Sequence, residues 1–183
     1  MNISHTIQTV QNERGFTLIE TFVAVGILMV ALVGPLTLAQ RALSVSIVSA
    51  DQVTAFYLAQ DAVEYIRNVR DSNVINGDDW LNLIDTSGCL DTADPCRIDT
   101  SSSQPFSSAA TPCVTSEQCR LQYDPVTNKY SHSAAFSDSQ FRREVELTTL
   151  TGNEIFVEVT VFWEVGDVSG SFLAQQSLFD IAL

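Results

Sequence analysis

The most distinctive pattern in this 183-residue chain is a long apolar run close to its N-terminus. Between Phe16 and Leu38 the only charged residue is Glu20, and the next one along the chain is Arg41. About 20 helical residues cross a hydrocarbon core of roughly 30 Å, so the run is long enough for a transmembrane helix. A carboxylate in such a helix is costly, so Glu20 is expected to have a function or a partner. Residues 16–40 are therefore predicted to form a membrane helix.

An amphipathic pattern continues this helix through residues 41–72. Its apolar residues recur at spacings of three and four, the period of a helix with a wide apolar face. We expect a kink or local unwinding at Pro35, and no other strong breaker before Asn73. Basic residues in the last turns suit the helix dipole, and we place Arg67 and Arg70 there. The apolar positions are Val53, Phe56, Leu58, Ala59, Ala62, Val63, Tyr65, Ile66 and Val69. The aromatic side chains expected in the core are those of Phe56, Tyr57 and Tyr65. The residues expected mostly on the opposite, polar side are Asp51, Gln52, Asp61 and Glu64.

The composition changes in residues 73–118, where Ser, Thr, Asp, Pro and Gly dominate and the apolar period is lost. This segment is predicted to be a long connecting loop, attached to the core by apolar residues near its start. Its aspartates raise the hypothesis of a calcium site, because Ca²⁺ takes several oxygen ligands. No EF-hand pattern is present, and no cofactor or metal is predicted. The attaching residues are Trp80, Leu81, Leu83 and Ile84. The aspartates are Asp78, Asp79, Asp85, Asp91, Asp94 and Asp99.

The four cysteines, Cys89, Cys96, Cys113 and Cys119, lie close together in this part of the chain. An even number of cysteines is typical of disulfides in proteins that reach an oxidising compartment. Three pairings are possible, and we favour the local pairs Cys89–Cys96 and Cys113–Cys119 because each closes a short loop beside turn residues. Zinc is disfavoured because it needs closer pairs such as C-x-x-C. Free thiols remain an alternative.

Residues 119–183 are predicted to form an antiparallel sheet. Apolar and polar residues alternate most clearly between Ile155 and Val165, which indicates a strand with one buried face. We predict a preceding strand that contains Val145 and Leu147 and is joined to this one by residues 151–153, a last strand from Ser171 to about Ala182, and an earlier hairpin in residues 120–133. The apolar face of the long helix would cover the sheet. The predicted fold class is α+β, with one long N-terminal helix packed on a C-terminal antiparallel β-meander.

The segment from Arg14 to Glu20, Arg-Gly-Phe-Thr-Leu-Ile-Glu, joins a polar N-terminal stretch to the apolar run. Gly15–Glu20 resembles the processing signature of type IV prepilins and of the pseudopilins of type II secretion. The resemblance implies a pilin-like fold, removal of residues 1–15 by a prepilin peptidase that cuts after Gly15, and N-methylation of Phe16. An ordinary secretory signal has its apolar core before the cut. Here the cut would leave the anchor on the mature protein.

The resemblance also assigns a role in assembly to Glu20, the fifth residue of the processed chain. In a fibre of packed helices, Glu20 of one subunit can face the Phe16 ammonium group of its neighbour. Away from bulk water such a pair is strong, and an unpaired member is penalised. The pair would therefore fix the register of docking.

The resemblance further implies a location and a set of partners. The chain would be a single-pass protein of the cytoplasmic membrane, with a cytoplasmic N-terminus and an exported C-terminal domain, and then part of an extracytoplasmic fibre. Its partners would be the prepilin peptidase, other pilin or pseudopilin subunits, the inner-membrane assembly platform and membrane lipid. We expect a minor subunit of a type IV pilus or a pseudopilus. The alternatives are a tip or adhesin-like binding subunit and a membrane-anchored exported domain that does not polymerise.

Composition and motifs disfavour two other classes of protein. The formal net charge of −13 argues against a nucleic-acid-binding surface, which would be basic. An enzyme is not predicted, because His132 would be the only histidine after processing and no serine lies in a nucleophile-elbow pattern. There is no phosphate-binding glycine loop, and the neighbouring Asp78 and Asp79 would point apart. The chain is expected to be the substrate of an enzyme.

Overall fold

The computed structural model describes residues 15–166 and 168–181, and it confirms the α+β class: a long N-terminal helix packs on an antiparallel sheet. Helix α1 spans Leu18–Asn76, 59 residues. The chain divides into two compact units, residues 1–46 and residues 47–183. The sheet and the helical residues packed on it belong to the second unit, and the apolar run belongs to the first.

Helix α1 differs from the prediction at two points. It ends at Asn76 rather than at residue 72, so Arg67 and Arg70 do not lie in its last turn. The Asn73 side chain, near this end of the helix, donates to the carbonyl oxygens of Trp80 (3.3 Å) and Asn82 (2.7 Å). These bonds hold the chain as it turns away from the helix.

The predicted unwinding at Pro35 is wrong, since the helix continues through it without interruption. A proline in a helix removes one backbone hydrogen bond, and the turns on either side can hold the helical path. The Thr37 hydroxyl donates to the Gly34 carbonyl oxygen at 2.8 Å, which adds a side-chain bond within the proline turn.

Within the described residues the sheet has seven strands. All strand pairs between them are antiparallel. Strand β5 is central: β6 lies on one side of it, and β1 and β3 lie on the other. Strand β7 pairs with β6 and forms one edge. The strands are β1 (Cys96–Ile98), β2 (Ala110–Pro112), β3 (Arg120–Asp124), β4 (Lys129–Ser131), β5 (Ser137–Thr151), β6 (Glu154–Val165) and β7 (Val168–Phe179).

The meander prediction holds for β5, β6 and β7, and the predicted hairpin is β3–β4. The last strand starts at Val168, three residues before the predicted Ser171, and ends at Phe179. Ala182, its predicted end, lies outside the described residues.

The prediction of a plain loop in residues 73–118 is wrong. This segment contains β1, β2, a short helix α2 (Phe106–Ala109) and two single-turn 3₁₀ helices, Asp85–Ser87 and Ser116–Cys119. Ile98 and Phe106 are buried in the core, and β1 joins the sheet through the pair Cys96–Val145. As predicted, Trp80 and Ile84 are buried and attach the start of the segment to the core, and Leu81 and Leu83 pack against it.

The helix packs on the sheet through small residues. Ala55, Ala59 and Ala62 are fully buried, together with Ile66. Leu58 and Val63 are buried on the same face of the helix. Buried residues of β6 that alternate along the strand complete the core: Ile155, Val157, Val159, Val161 and Trp163.

The predicted core positions of Phe56 and Tyr57 are therefore wrong, because both side chains are exposed. The Phe56 ring still meets that of Phe172 on β7 edge to face, with centroids 5.4 Å apart. Tyr65 is half-buried and stacks on Phe106 at 5.9 Å.

A buried arginine joins three elements of the second unit. Arg143 of β5 is 1% exposed and donates to the carbonyl oxygens of Leu58 (2.9 Å) and Ile98 (2.6 Å) and to Asp61 Oδ2 (3.1 Å). Burial lowers the pKa of the Arg143 guanidinium, and the Asp61 carboxylate opposes that shift. Asp61, expected on the polar side of the helix, also accepts a bond from the Thr100 hydroxyl at 2.5 Å. It therefore lies where α1, β5 and the segment after β1 meet.

Replacing Gly170 with alanine is expected to destabilise the second unit. A Cβ on Gly170 would lie 2.3 Å from Cζ2 of the Trp163 indole, which packs over it from β6. The clash forces the buried indole to move, and overpacking of this kind costs about 1–3 kcal/mol. The free energy of unfolding of the full chain in detergent, followed by tryptophan fluorescence, measures the effect. In the matched control Gly152→Ala, the added Cβ meets nothing within 4 Å, and equal losses in the two variants would contradict the packing argument.

Candidate processing and assembly site

The predicted cleavage bond lies in exposed, non-helical backbone. Gly15, Phe16 and Thr17 precede the first turn of α1, and Phe16 is 80% exposed. A Cβ placed on Gly15 would meet nothing within 4 Å. The bond between Gly15 and Phe16 is thus accessible to a protease without unwinding of the helix. The predicted leader, apart from Gly15, lies outside the described residues.

Thr17 caps the helix, a role that the sequence analysis missed. Its carbonyl oxygen accepts from the backbone N–H groups of Glu20 (3.0 Å) and Thr21 (3.2 Å), and its hydroxyl lies 3.3 Å from the Glu20 N–H. The spacing Thr17-x-x-Glu20 is that of a capping box, and this pattern could have located the first turn.

Glu20 lies in the first helical turn, with its side chain exposed. A carboxylate there is favoured by the partial positive charge at a helix N-terminus. Its exposure leaves it able to face a group on another molecule. Glu20 therefore suits the first turn of the helix, and its carboxylate is exposed, as the predicted contact with a neighbouring subunit would need.

The apolar run forms the first part of α1, and no side chain of the described run packs into a core. By length and composition this helix could cross a membrane, and its most apolar stretch has no buried residue. A helix that is apolar all round needs an apolar surrounding, either lipid or other helices. The Thr21 hydroxyl donates to the Leu18 carbonyl oxygen at 2.8 Å, so this polar group is satisfied within the helix.

Two disulfides brace the segment between α1 and β3. They join Cys89 to Cys96 and Cys113 to Cys119, with Cα–Cα distances of 5.9 and 5.7 Å. These are the local pairs favoured from the sequence. All four cysteines are buried, and Cys96 lies in β1 beside Val145 of β5. The first bridge therefore joins the chain before β1 to β1, which in turn pairs with the central strand β5.

The aspartates behind the calcium hypothesis are dispersed along the segment, and several accept local hydrogen bonds. Asp79 and Asp99 accept from the N–H groups of Leu81 (2.9 Å) and Ser101 (3.1 Å). Asp91 accepts from the Thr149 N–H at 2.7 Å, and this bond lowers the pKa of Asp91. Among residues 15–166 and 168–181, no three or more His, Cys, Asp or Glu side chains are grouped so that they could hold a metal ion.

His132, the one histidine considered for catalysis, lies beside the buried arginine. Burial lowers the pKa of His132 to about 4, and the Arg143 guanidinium contributes to this shift. The imidazole is therefore neutral at pH 7.

The geometry combines an accessible glycine–phenylalanine bond, a capped helix with a carboxylate in its first turn, and a disulfide-braced α+β unit. No family model matches the chain, and no curated protein or solved structure matches it. The functional interpretation therefore depends on the motif Gly15–Glu20 and on the surroundings of these residues.

Proposed function

We propose that this chain is a structural subunit, a minor one, of a type IV pilus or a type II secretion pseudopilus. A prepilin peptidase cuts it after Gly15, the new N-terminus at Phe16 is methylated, and the subunit assembles through its N-terminal helix. One observation carries the proposal: the motif Gly15–Glu20 lies where exposed, non-helical backbone meets the apolar first part of α1, in which no residue of the most apolar stretch is buried.

The position of the helix cap is compatible with cleavage at Gly15. Thr17 stays on the processed chain, so α1 keeps its first hydrogen bonds after residues 1–15 are removed. The new ammonium group on Phe16 precedes the cap by one residue. Glu20 is the third residue of α1 and lies in its first turn. Both charges then lie at the same end of α1, from which each can reach the opposite charge on a neighbouring subunit.

Export of the C-terminal unit is supported by its cysteines. Disulfides form and persist in oxidising compartments and are rare in the cytosol. Both bridges lie in the second unit. We therefore propose a single pass through the cytoplasmic membrane, with the N-terminus inside and the second unit outside. The prepilin peptidase, the assembly platform, other subunits and membrane lipid are the partners that the resemblance to prepilins implies.

Gly15→Val is expected to block processing of the chain. The cut needs close approach of the protease to the backbone, and a branched side chain obstructs it. Intact-mass and N-terminal peptide spectrometry, on protein from membranes with an active prepilin peptidase, measures the result. The wild type should yield a peptide that begins at Phe16 and carries one methyl group, and the variant should keep its leader.

Gly26→Val is the matched control, because Gly26 lies on the exposed helix with open space around its Cα and outside the motif. It should be processed normally. A wild-type chain that still begins at Met1 in these membranes would refute the proposed processing. Equal processing of the Gly15 and Gly26 variants would show that the cut lies elsewhere.

A further inference from the structure

Strand β7 leaves one long edge of the sheet open. Val168–Phe179 pairs with β6 over the whole length of β6, without a register shift. Within the described residues no other strand pairs with β7. About half of its backbone N–H and C=O groups therefore point away from the sheet, as they do in any edge strand.

This edge lacks the features that usually prevent strand addition. Proteins protect edges with very short strands, charged side chains, proline or bulges. The other end strands of the sheet have such protection: β2 has three residues and ends in Pro112, and β4 has three residues and begins with Lys129. Strand β7 has twelve residues, with no charge and no proline among them. This difference between β7 and the other end strands indicates that the edge of β7 can pair with an added strand.

The charged residues in and next to strands β6 and β7 in the sequence are all acidic, whereas Arg70 of α1 donates to the Phe179 carbonyl oxygen (3.3 Å) at the end of β7. Residues 154–181 contain five acidic residues and no lysine, arginine or histidine. A second copy of the chain would bring two such acidic hairpins together, and their like charges would repel. A basic strand would be attracted. The acidic residues are Glu154, Glu158, Glu164, Asp167 and Asp180.

The two faces of β7 differ in the side chains that they offer. Phe172 and Ala174 pair with buried residues of β6, so they share the face on which the helix packs, and both are half-buried. Leu173 lies on the other face, as does Gln175, which donates to Glu158 of β6 at 2.6 Å. An added strand would bring apolar side chains beside Phe172. Its long basic side chains could cross β7 toward Glu158, about 10 Å or two strand spacings away.

We propose that the outer edge of β7 binds, by strand addition, an extended segment of a partner protein in which basic and apolar residues alternate. The backbone groups of the edge supply the hydrogen bonds, and the alternation supplies the specificity. This inference rests on the sheet alone and is independent of the proposed role in a fibre.

The test uses the full chain in detergent and a short synthetic peptide that alternates lysine and valine. Hydrogen exchange, read by mass spectrometry at about 0.15 M salt, is expected to show new protection confined to β7 when the peptide is added. A peptide with glutamate in place of lysine should not protect it. A peptide of the same composition, with all lysines before all valines, should protect it far less, because it cannot separate the two side-chain types onto two faces.

Leu173→Lys should weaken binding of the alternating peptide about tenfold, because it places a like charge on the face where the peptide's lysines lie. Leu150→Lys is the matched control: Leu150 on β5 is 53% exposed, against 49% for Leu173, and it lies away from this edge. Glu158→Gln should weaken binding as well.

Three results would overturn the proposal. The first is equal affinity in the Leu173 and Leu150 variants, which would mean diffuse electrostatic attraction. The second is protection by the glutamate peptide. The third is protection of β7 that rises with protein concentration in the absence of peptide, which would show that a second copy of the chain occupies the edge.

Discussion

Glu20→Ala is expected to abolish incorporation of the subunit into fibres while leaving its membrane insertion and cleavage largely intact. The apolar surface of α1 can pack on other helices without Glu20, but the Phe16 ammonium of a neighbour then has no counter-charge. An unpaired charge away from water costs several kcal/mol, enough to exclude the variant from an ordered assembly. The measurement is the ratio of variant to wild-type subunit in sheared fibres, set against the ratio in membranes.

The helix cap supplies the decisive control for this experiment. Glu20 also lies in the first turn, where an acidic residue stabilises a helix by about 0.3–1 kcal/mol. Thr17→Ala removes the cap hydroxyl that faces the Glu20 N–H and keeps the carboxylate. It should assemble normally, whereas Glu20→Gln, which keeps the size and loses the charge, should fail. Equal failure of Thr17→Ala would assign the effect to the helix start, and normal assembly of Glu20→Ala would refute the charge pair.

The long elements could be predicted because their patterns repeat many times. The twelve residues of β6 alternate cleanly, and the apolar run is longer than any ordinary core helix requires. Strands β1 and β2 have three residues each, too few to show a period of two, and they lie in a segment rich in serine and aspartate. Their pairing depends on contacts with β5 and on the disulfides, which local composition does not reveal.

The side of the helix that meets the sheet was harder to predict. Phe56 and Tyr57 look like core residues by hydrophobicity, but the sheet lies against the line of Ala55 and Ala59. The buried face also carries Leu58, Val63 and Ile66, so the direction of each side chain around the helix decided burial, which a scale of hydrophobicity does not measure.

Arg143 was missed as a core residue although the sequence could have located it. On β5 the buried positions alternate through Phe141, Arg143, Val145 and Leu147, so the arginine falls on the apolar face. Its neighbour Arg142 falls on the opposite face. An arginine at an inward position predicts acceptors nearby, and these are the Leu58 and Ile98 carbonyl oxygens and the partly exposed Asp61 carboxylate. For the proposed cleavage site, by contrast, residue identities alone led to the prediction, and the structure adds the exposure of Phe16 and the Thr17 cap.

Asp61→Ala is expected to destabilise the second unit by about 2–4 kcal/mol, because it leaves the buried Arg143 guanidinium without its counter-charge. This loss of stability is smaller than the loss expected when a fully buried ion pair is broken. The reasons are that the Asp61 side chain is 52% exposed and that Arg143 keeps its bonds to two carbonyl oxygens. The free energy of unfolding of the full chain measures the loss. Tryptophan fluorescence suits this purpose because Trp80 and Trp163 both lie in the second unit.

Two further variants separate the buried charge from other effects of the substitution. Glu64→Ala removes a carboxylate one turn along the same helix, where it pairs with Arg67 at the surface, and should cost at most about 0.5 kcal/mol. The double variant Asp61→Ala, Arg143→Met should be at least as stable as Asp61→Ala, because it removes the unpaired charge and keeps most of the volume. Strictly additive losses in the double variant would mean that the two side chains stabilise the fold independently, through separate contacts.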